Sequence, residues 1–171
     1  MPTATTTPIR TEFRTIDGLA IRLAQSEPAP ENGVQALLLS PWPETIYANE
    51  PTWPLLAAHA HLIAVDLPGF GHSEYRETLM SPSAMGDFII RLADELGHPH
   101  VVGPDIGTSA SLFAAARHPG RLRSVAVGTG GAAVPVQLGG KLQEWVEAPD
   151  IEAYRRIDGR PGAAGSPTPC R

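Results

Sequence analysis

The segment His-Val-Val-Gly-Pro-Asp-Ile-Gly-Thr-Ser-Ala-Ser-Leu, residues 100–112, decides the fold. Val101 and Val102 read as a short strand, Gly103 and Gly107 bracket a tight turn, and the Ala- and Ser-rich run beyond opens a helix. Asp105 stands between the two glycines as G-x-D-x-G. A sharp strand-to-helix turn of this kind lifts one side chain above the edge of a sheet. Here that side chain is a carboxylate, which needs no base near neutral pH because free aspartic acid has a pKa of about 3.9. A carboxylate can attack an alkyl carbon and form a covalent ester. The simpler alternative makes Asp105 the N-cap of the following helix.

The neighbouring segments repeat the alternation of strand and helix. Thr11–Thr15 and Leu19–Gln25 flank Ile16-Asp17-Gly18, and an Asp-Gly pair between alternating runs predicts a hairpin. Val34–Leu39 is an apolar run of strand length, and Ser40-Pro41-Trp42-Pro43 stops it because two prolines forbid further ladder bonding. A short helix is expected over Pro51–Ala60 and a strand over Leu62–Val65, followed by the Gly-rich loop Asp66-Leu67-Pro68-Gly69-Phe70-Gly71-His72-Ser73. Ser81 reads as an N-cap with Pro82 at the first helical position. Met85, Phe88, Ile89, Leu92 and Leu96 then make one apolar helical face, which Gly97 ends. The helix after Asp105 runs to Ala116, and Leu122–Val127 is a further strand. The expected fold is α/β, a mostly parallel sheet with an N-terminal antiparallel hairpin.

Beyond Gly128 the pattern fails. Residues 128–140 lack periodicity, and Leu142–Tyr154 reads as one helix broken at Pro149. Residues 1–9 read as a flexible arm, 10–128 as the core, 129–157 as a further helical region, and 158–171 as a disordered Gly/Pro/Ser-rich tail. From Pro161 the composition changes so abruptly that a shifted reading frame or early stop is the expected origin.

Size and charge narrow the partners. A chain of 171 residues with formal net charge −5 suits one globular domain. The mild acidity argues against nucleic acid or an anionic membrane as partner. With no signal-peptide h-region and no transmembrane-length apolar run, a cytoplasmic protein is expected. Cys170 is the only cysteine, so neither an intrachain disulfide nor a cysteine metal site can form. His59 and His61 make no ligand set, and neither a metal nor a cofactor is expected.

Three motifs stand in order: Ser-Pro-Trp-Pro at 40–43, Asp-Leu-Pro-Gly-Phe-Gly-His-Ser-Glu at 66–74, and Val-Val-Gly-Pro-Asp-Ile-Gly at 101–107. Together they resemble the front part of the α/β-hydrolase superfamily, in its epoxide hydrolase and haloalkane dehalogenase branch. That branch uses an aspartate at the elbow, and carries an H-G-x-P stretch and a D-x-x-G-x-G-x-S loop before it. The resemblance covers about residues 10–157. It implies Asp105 as nucleophile, with the backbone N–H groups of Trp42 and Ile106 as oxyanion-hole donors. It implies a small-molecule substrate for a complete protein, and makes 129–157 the start of a helical cap. Asp66, Gly69, Gly71 and Ser73 match the second loop, to which no chemistry is assigned.

The sequence departs from that pattern at several positions. Ser40 and Pro41 replace the His and Gly, and Pro104 stands where a His is common before the nucleophile. Ile106 occupies a position where many members carry a Trp that holds the leaving halide, so epoxide opening or another hydrolysis is expected ahead of dehalogenation, and the substrate stays open. The family's acid and histidine lie on later loops, and no residue here is a candidate base. His118 is expected on the face of the sheet away from Asp105. The chain is therefore expected to be a truncated, inactive form, ending before the rest of the cap and the C-terminal strands. Two alternatives stand beside it. One is a non-catalytic remnant or small-molecule binding module of the same fold. The other is a dinucleotide site at Gly128-Thr129-Gly130-Gly131-Ala132-Ala133, which matches G-x-G-x-x-A but sits late in the sheet without a following helix.

Overall fold

A computed structural model of the protein describes residues 9–27, 33–131 and 138–158. The expected 1–9 arm, the tail after Asp158 and the end of the G-x-G-x-x-A stretch lie outside those residues, save for Ile9. The described residues fall into two compact units, one ending before the 132–137 gap and one following it.

The first unit is a six-stranded sheet in the order β1-β2-β4-β3-β5-β6. Strand β1 (Thr11–Ile16) pairs antiparallel with β2 (Leu19–Gln25), with Ile16 opposite Leu19. The turn between them puts Asp17 at φ 51° and Gly18 at φ 73°. Two successive left-handed residues twist a two-residue hairpin in the sense its strands require. β2 pairs antiparallel with β4 (His61–Val65), and β4, β3 (Gln35–Leu39), β5 (His100–Pro104) and β6 (Ser124–Gly128) run parallel. The strand expected at Leu122–Val127 starts at Ser124, because Arg123 N–H donates to the Pro99 carbonyl before the ladder with β5 begins.

Strand periodicity sorts the side chains between two cores. Leu37, Leu39, Ile63, Val65 and Val101 face α2 (Pro82–Leu96) and α3 (Ile106–Arg117). Leu38, Leu62 and Ala64 face Ile46 and Trp53, the latter on α1 (Trp53–Ala57). β3 and β4 are thus buried on both faces, which explains their continuous apolar runs. The stripe on α2 supplies Met85, Phe88, Ile89 and Leu92 to the first core. Ser81 Oγ accepts from Ala84 N–H at 3.2 Å to start that helix, and Gly97 ends it at φ 80°.

The order of the parallel strands matters for function. From β3 the chain crosses by α1 to β4 on one side, and from β4 it crosses by α2 to β5 on the other side of β3. The loops leaving β3 and β5 therefore diverge above the C-terminal ends of adjacent strands. A crevice opens at such a switch point in α/β sheets.

The second unit contains α4 (Gly140–Val146) and α5 (Ile151–Asp158). The break expected at Pro149 falls between them, and the second helix continues past Tyr154 to Asp158. Asp150 Oδ1 accepts from Ala153 N–H at 2.7 Å, capping α5 and setting its start. Trp145 and Tyr154 pack with ring centroids 5.8 Å apart.

Candidate active site

Asp105 sits at the top of β5 with φ 51° and ψ −118°. Positive φ in a residue with a side chain costs about 1–3 kcal/mol and persists only where the surroundings impose it. Several contacts impose it here. Asp105 N–H donates to the Gly128 carbonyl at 3.0 Å, and the Asp105 carbonyl accepts from Thr108 N–H at 2.9 Å. Thr108 Oγ1 lies 2.9 Å from both the Gly103 and the Gly128 carbonyl oxygens. The elbow is thereby tied to β5 below it and to β6 beside it. Gly130 completes the fit, since a Cβ there would overlap the Asp105 carbonyl and the Thr108 side chain. Asp105 occupies the N-cap position of α3, but its side chain caps nothing. The N-cap alternative therefore does not describe this carboxylate.

The Asp105 side chain turns toward the loop after β3. Trp42 N–H donates to Asp105 Oδ2 at 2.8 Å. Pro41 and Pro43 flank Trp42, and the Trp42–Pro43 peptide is cis. Ile106 is the first residue of α3, a position whose N–H has no acceptor within its own helix. Trp42 and Asp105 thus meet across the switch point, and Ile106 follows directly on the helix.

A cavity of about 230 Å³ adjoins the carboxylate. Leu67, Phe70, Leu79, Met80 and Met85 line its apolar side, and Asp105, Ser109 and Gly131 its polar rim. Leu67 and Phe70 come from the loop after β4, Leu79 and Met80 from a 3₁₀ turn (Glu77–Leu79) and its cap, and Met85 from the first turns of α2. Sequence patterning placed Met85 in the α2 core stripe and gave the turn residues no role. Only the folding of the loop onto α2 makes them a wall, and no local periodicity signals that.

Among the described residues, the lining contains no histidine. His118 Nε2 instead lies 2.8 Å from Asp87 Oδ1, in a pair that joins α2 to α3. His98 Nδ1 lies 2.8 Å from the Arg121 carbonyl, and His100 Nδ1 lies 2.8 Å from Ser124 Oγ. His61 Nδ1 lies 3.1 Å from the Glu27 carbonyl. Among the described residues no group of three His, Cys, Asp or Glu side chains could hold a metal ion. No helix of the described residues is long and apolar enough to cross a membrane.

The fold and this elbow define a class, and comparison with known proteins agrees with it. A sequence model of the alpha/beta hydrolase fold matches residues 37–153. The chain belongs to the α/β-hydrolase fold family. Among solved structures, Cfl2 from Burkholderia cenocepacia is similar at 24% identity with a TM-score of 0.71, covering 92% of this chain and 57% of that one. The epoxide hydrolase CorEH superposes with a TM-score of 0.72 at 22% identity, over 90% of this chain and 56% of that one. A membrane phospholipase A, described as a bacterial virulence factor, gives 0.69 at 20% identity, over 87% and 50%. The chain thus spans about half the length of these structures.

Proposed function

We propose that Asp105 is the nucleophile of an epoxide hydrolase-like site acting on small apolar substrates. The observation that carries this reading is the Asp105 carboxylate, held on a positive-φ elbow beside an apolar cavity with Oδ2 bound to Trp42 N–H. With Oδ2 occupied, Oδ1 is the attacking oxygen. It forms a bond to an epoxide carbon as the ring C–O bond breaks, and the released alkoxide takes a proton from water. The product is a hydroxyalkyl ester whose carbonyl oxygen is the former Oδ2. Attack of water or hydroxide on the ester carbon then places negative charge on that oxygen. The N–H groups of Trp42 and Ile106 stabilise it until the diol departs and the carboxylate returns.

Of these two steps the chain favours the first. A carboxylate attacks unaided, whereas rapid ester hydrolysis needs a group to activate water. Among the described residues no histidine lines the cavity to do so. Burial of an apolar substituent against Leu67, Phe70, Leu79 and Met85 selects substrates that carry one.

Intact-mass spectrometry after incubation with styrene oxide tests this. One adduct per chain is expected, mapped to Asp105, dependent on the folded state and absent from Asp105→Ala. The same labelling in Asp105→Ala, or none in the native protein, overturns the assignment. In the second case the apolar cavity belongs to a non-catalytic binding module.

A further inference from the structure

Beneath the Trp42 loop lies a buried charge cluster to which the proposed chemistry gives no role. Asp66, the residue after β4, is fully buried. Its Oδ2 accepts from Arg22 Nε at 2.6 Å and from His72 N–H at 3.0 Å. Its Oδ1 accepts from Ile46 N–H at 2.9 Å and lies 3.3 Å from Ser40 Oγ. Arg22 is itself buried and stacks over the Tyr47 ring at 5.5 Å. Gly71 must lack a side chain there, because a Cβ would overlap the Asp66 carboxylate.

The partners of Oδ1 are the two ends of one loop. Ser40 leaves β3, and Ile46 opens the 3₁₀ turn Ile46–Asn49. Between them lies Trp42, whose N–H meets Asp105. One carboxylate oxygen therefore holds the loop beyond the oxyanion donor through Ile46 N–H and, before it, shares the Ser40 hydroxyl with the Val65 carbonyl, which lies 3.1 Å from Ser40 Oγ. The other oxygen anchors that grip to β2 through Arg22 and to the Gly-rich loop through His72. Arg22 N–H in turn donates to Ser73 Oγ at 2.9 Å, and Ser73 Oγ donates to the Asp66 carbonyl at 2.6 Å. A mere ion pair holding two strands together would not need both loop ends. A bond from an ionised group is roughly twice as strong as a neutral one, so the carboxylate suits a clamp under load.

We propose that Asp66 is a positioning residue that sets the Trp42 N–H against Asp105 through Ser40 and Ile46. This rests on the reading of Asp105 as nucleophile and of Trp42 N–H as oxyanion donor. The clamp acts mainly on the second step, where the former Oδ2 gains full negative charge, and little on the first.

The test compares the native protein with Asp66→Asn and Ser40→Ala. Ser40→Ala leaves the Arg22–Asp66 pair intact and serves if Asp66→Asn does not fold. The first readout is the Trp42 backbone amide in a ¹H–¹⁵N spectrum, which a hydrogen bond to a carboxylate holds downfield. The second is the styrene oxide adduct on Asp105, its formation followed at neutral pH and its hydrolysis by hydroxide in alkaline buffer. Expected for Asp66→Asn is an upfield amide shift, formation within about twofold of native, and hydrolysis slowed about tenfold, below the full loss of one oxyanion donor. Ser40→Ala slows hydrolysis about threefold, less than Asp66→Asn, because the hydroxyl is shared with the Val65 carbonyl and Ile46 N–H still holds the other end of the loop. An unmoved Trp42 amide with unchanged adduct hydrolysis in a folded variant overturns the positioning role. Equal slowing of both steps overturns it too, since general loosening would do that. If no adduct forms on the native protein, the nucleophile reading fails, and the amide shift alone decides whether Asp66 positions Trp42.

Discussion

Trp42 N–H and Asp105 Oδ2 are 2.8 Å apart although the residues are 63 positions apart in the chain. Neither residue could reach the other from a strand interior. They meet because β3 and β5 are adjacent while the chain leaves them in opposite directions. The bond is a consequence of topology, and its precision depends on how tightly each loop is held.

On the Asp105 side the tightest constraint is Gly130. Gly130→Ala forces a methyl group into the Asp105 carbonyl and the Thr108 side chain. Overpacking of this kind costs about 1–3 kcal/mol, or is relieved by backbone movement. The elbow is the part that would move. Gly130→Ala should therefore lower the urea midpoint and cut styrene oxide labelling of Asp105 by about tenfold or more, as a displacement near 1 Å can cost still more. Native labelling in a destabilised variant would show that the elbow does not yield.

Phe88 is fully buried at the centre of the first core, between α2 and the sheet. Phe88→Ala removes a ring and leaves a cavity, at a cost of about 3–5 kcal/mol. That is a large part of the stability of any domain of this size. Urea unfolding followed by circular dichroism should show a cooperative native transition and a variant whose midpoint lies at much lower urea. A loss below about 1 kcal/mol would mean that the α2 face is not the core it forms in this structure.

Much of the fold was legible because its signals are local. The Asp17-Gly18 turn, the Ser81–Pro82 helix start and the α2 stripe each follow from a few adjacent residues, and the structure carries all three. The same holds for the G-x-D-x-G turn, where a Cβ on Gly103 would overlap Ser111 Oγ and the Gly107 carbonyl, and one on Gly107 would press on Leu39 of β3. Strand order, which brings Trp42 to Asp105, follows from no single segment. The cavity wall at Leu79 and Met80 and the clamp from Arg22 through Asp66 to Ser40 join segments distant in sequence. Arg22 lies in an alternating strand and carries no mark of burial until Asp66 is placed beneath it.

Asp87 links pH to the α2–α3 contact. The hydrogen bond from His118 is the main reason its carboxyl lies below the ordinary value of 3.8; burial opposes it, and the charges of Arg117 and His118 add to the lowering. A carboxyl whose ionisation is depressed in the folded state adds stability above its unfolded pKa. That stability is lost as pH falls through the depressed value. Stability should therefore fall below about pH 4, with Asp87 contributing up to about 1 kcal/mol because the pair is partly exposed. Asp87→Asn should be less stable than the native protein at neutral pH, and the two curves should converge in acid. A constant gap between them from neutral to acid pH would assign the loss to packing instead of charge.

The last prediction concerns the β6 edge. β6 pairs with β5 on one side and with no strand among the described residues on the other. Its sequence, Ser-Val-Ala-Val-Gly, holds neither a charge nor a proline, and Val127 is 43% exposed. Beside it Val102 of β5 is 37% exposed, and Phe113 of α3 is 44% exposed. Natural edge strands avoid pairing with other chains by means of lysines, prolines, bulges or a cover. Neither a lysine nor a proline stands in β6. The protein should therefore self-associate at about 0.1 mM, within the range where exposed apolar edges aggregate. Light scattering should show species larger than a monomer, and Val127→Lys should shift them toward monomer by placing a charge on the edge. Styrene oxide labelling of Asp105 should be unchanged in that variant, because Val127 is not among the residues lining the cavity. A monodisperse native monomer at that concentration would show that the β6 edge is already protected.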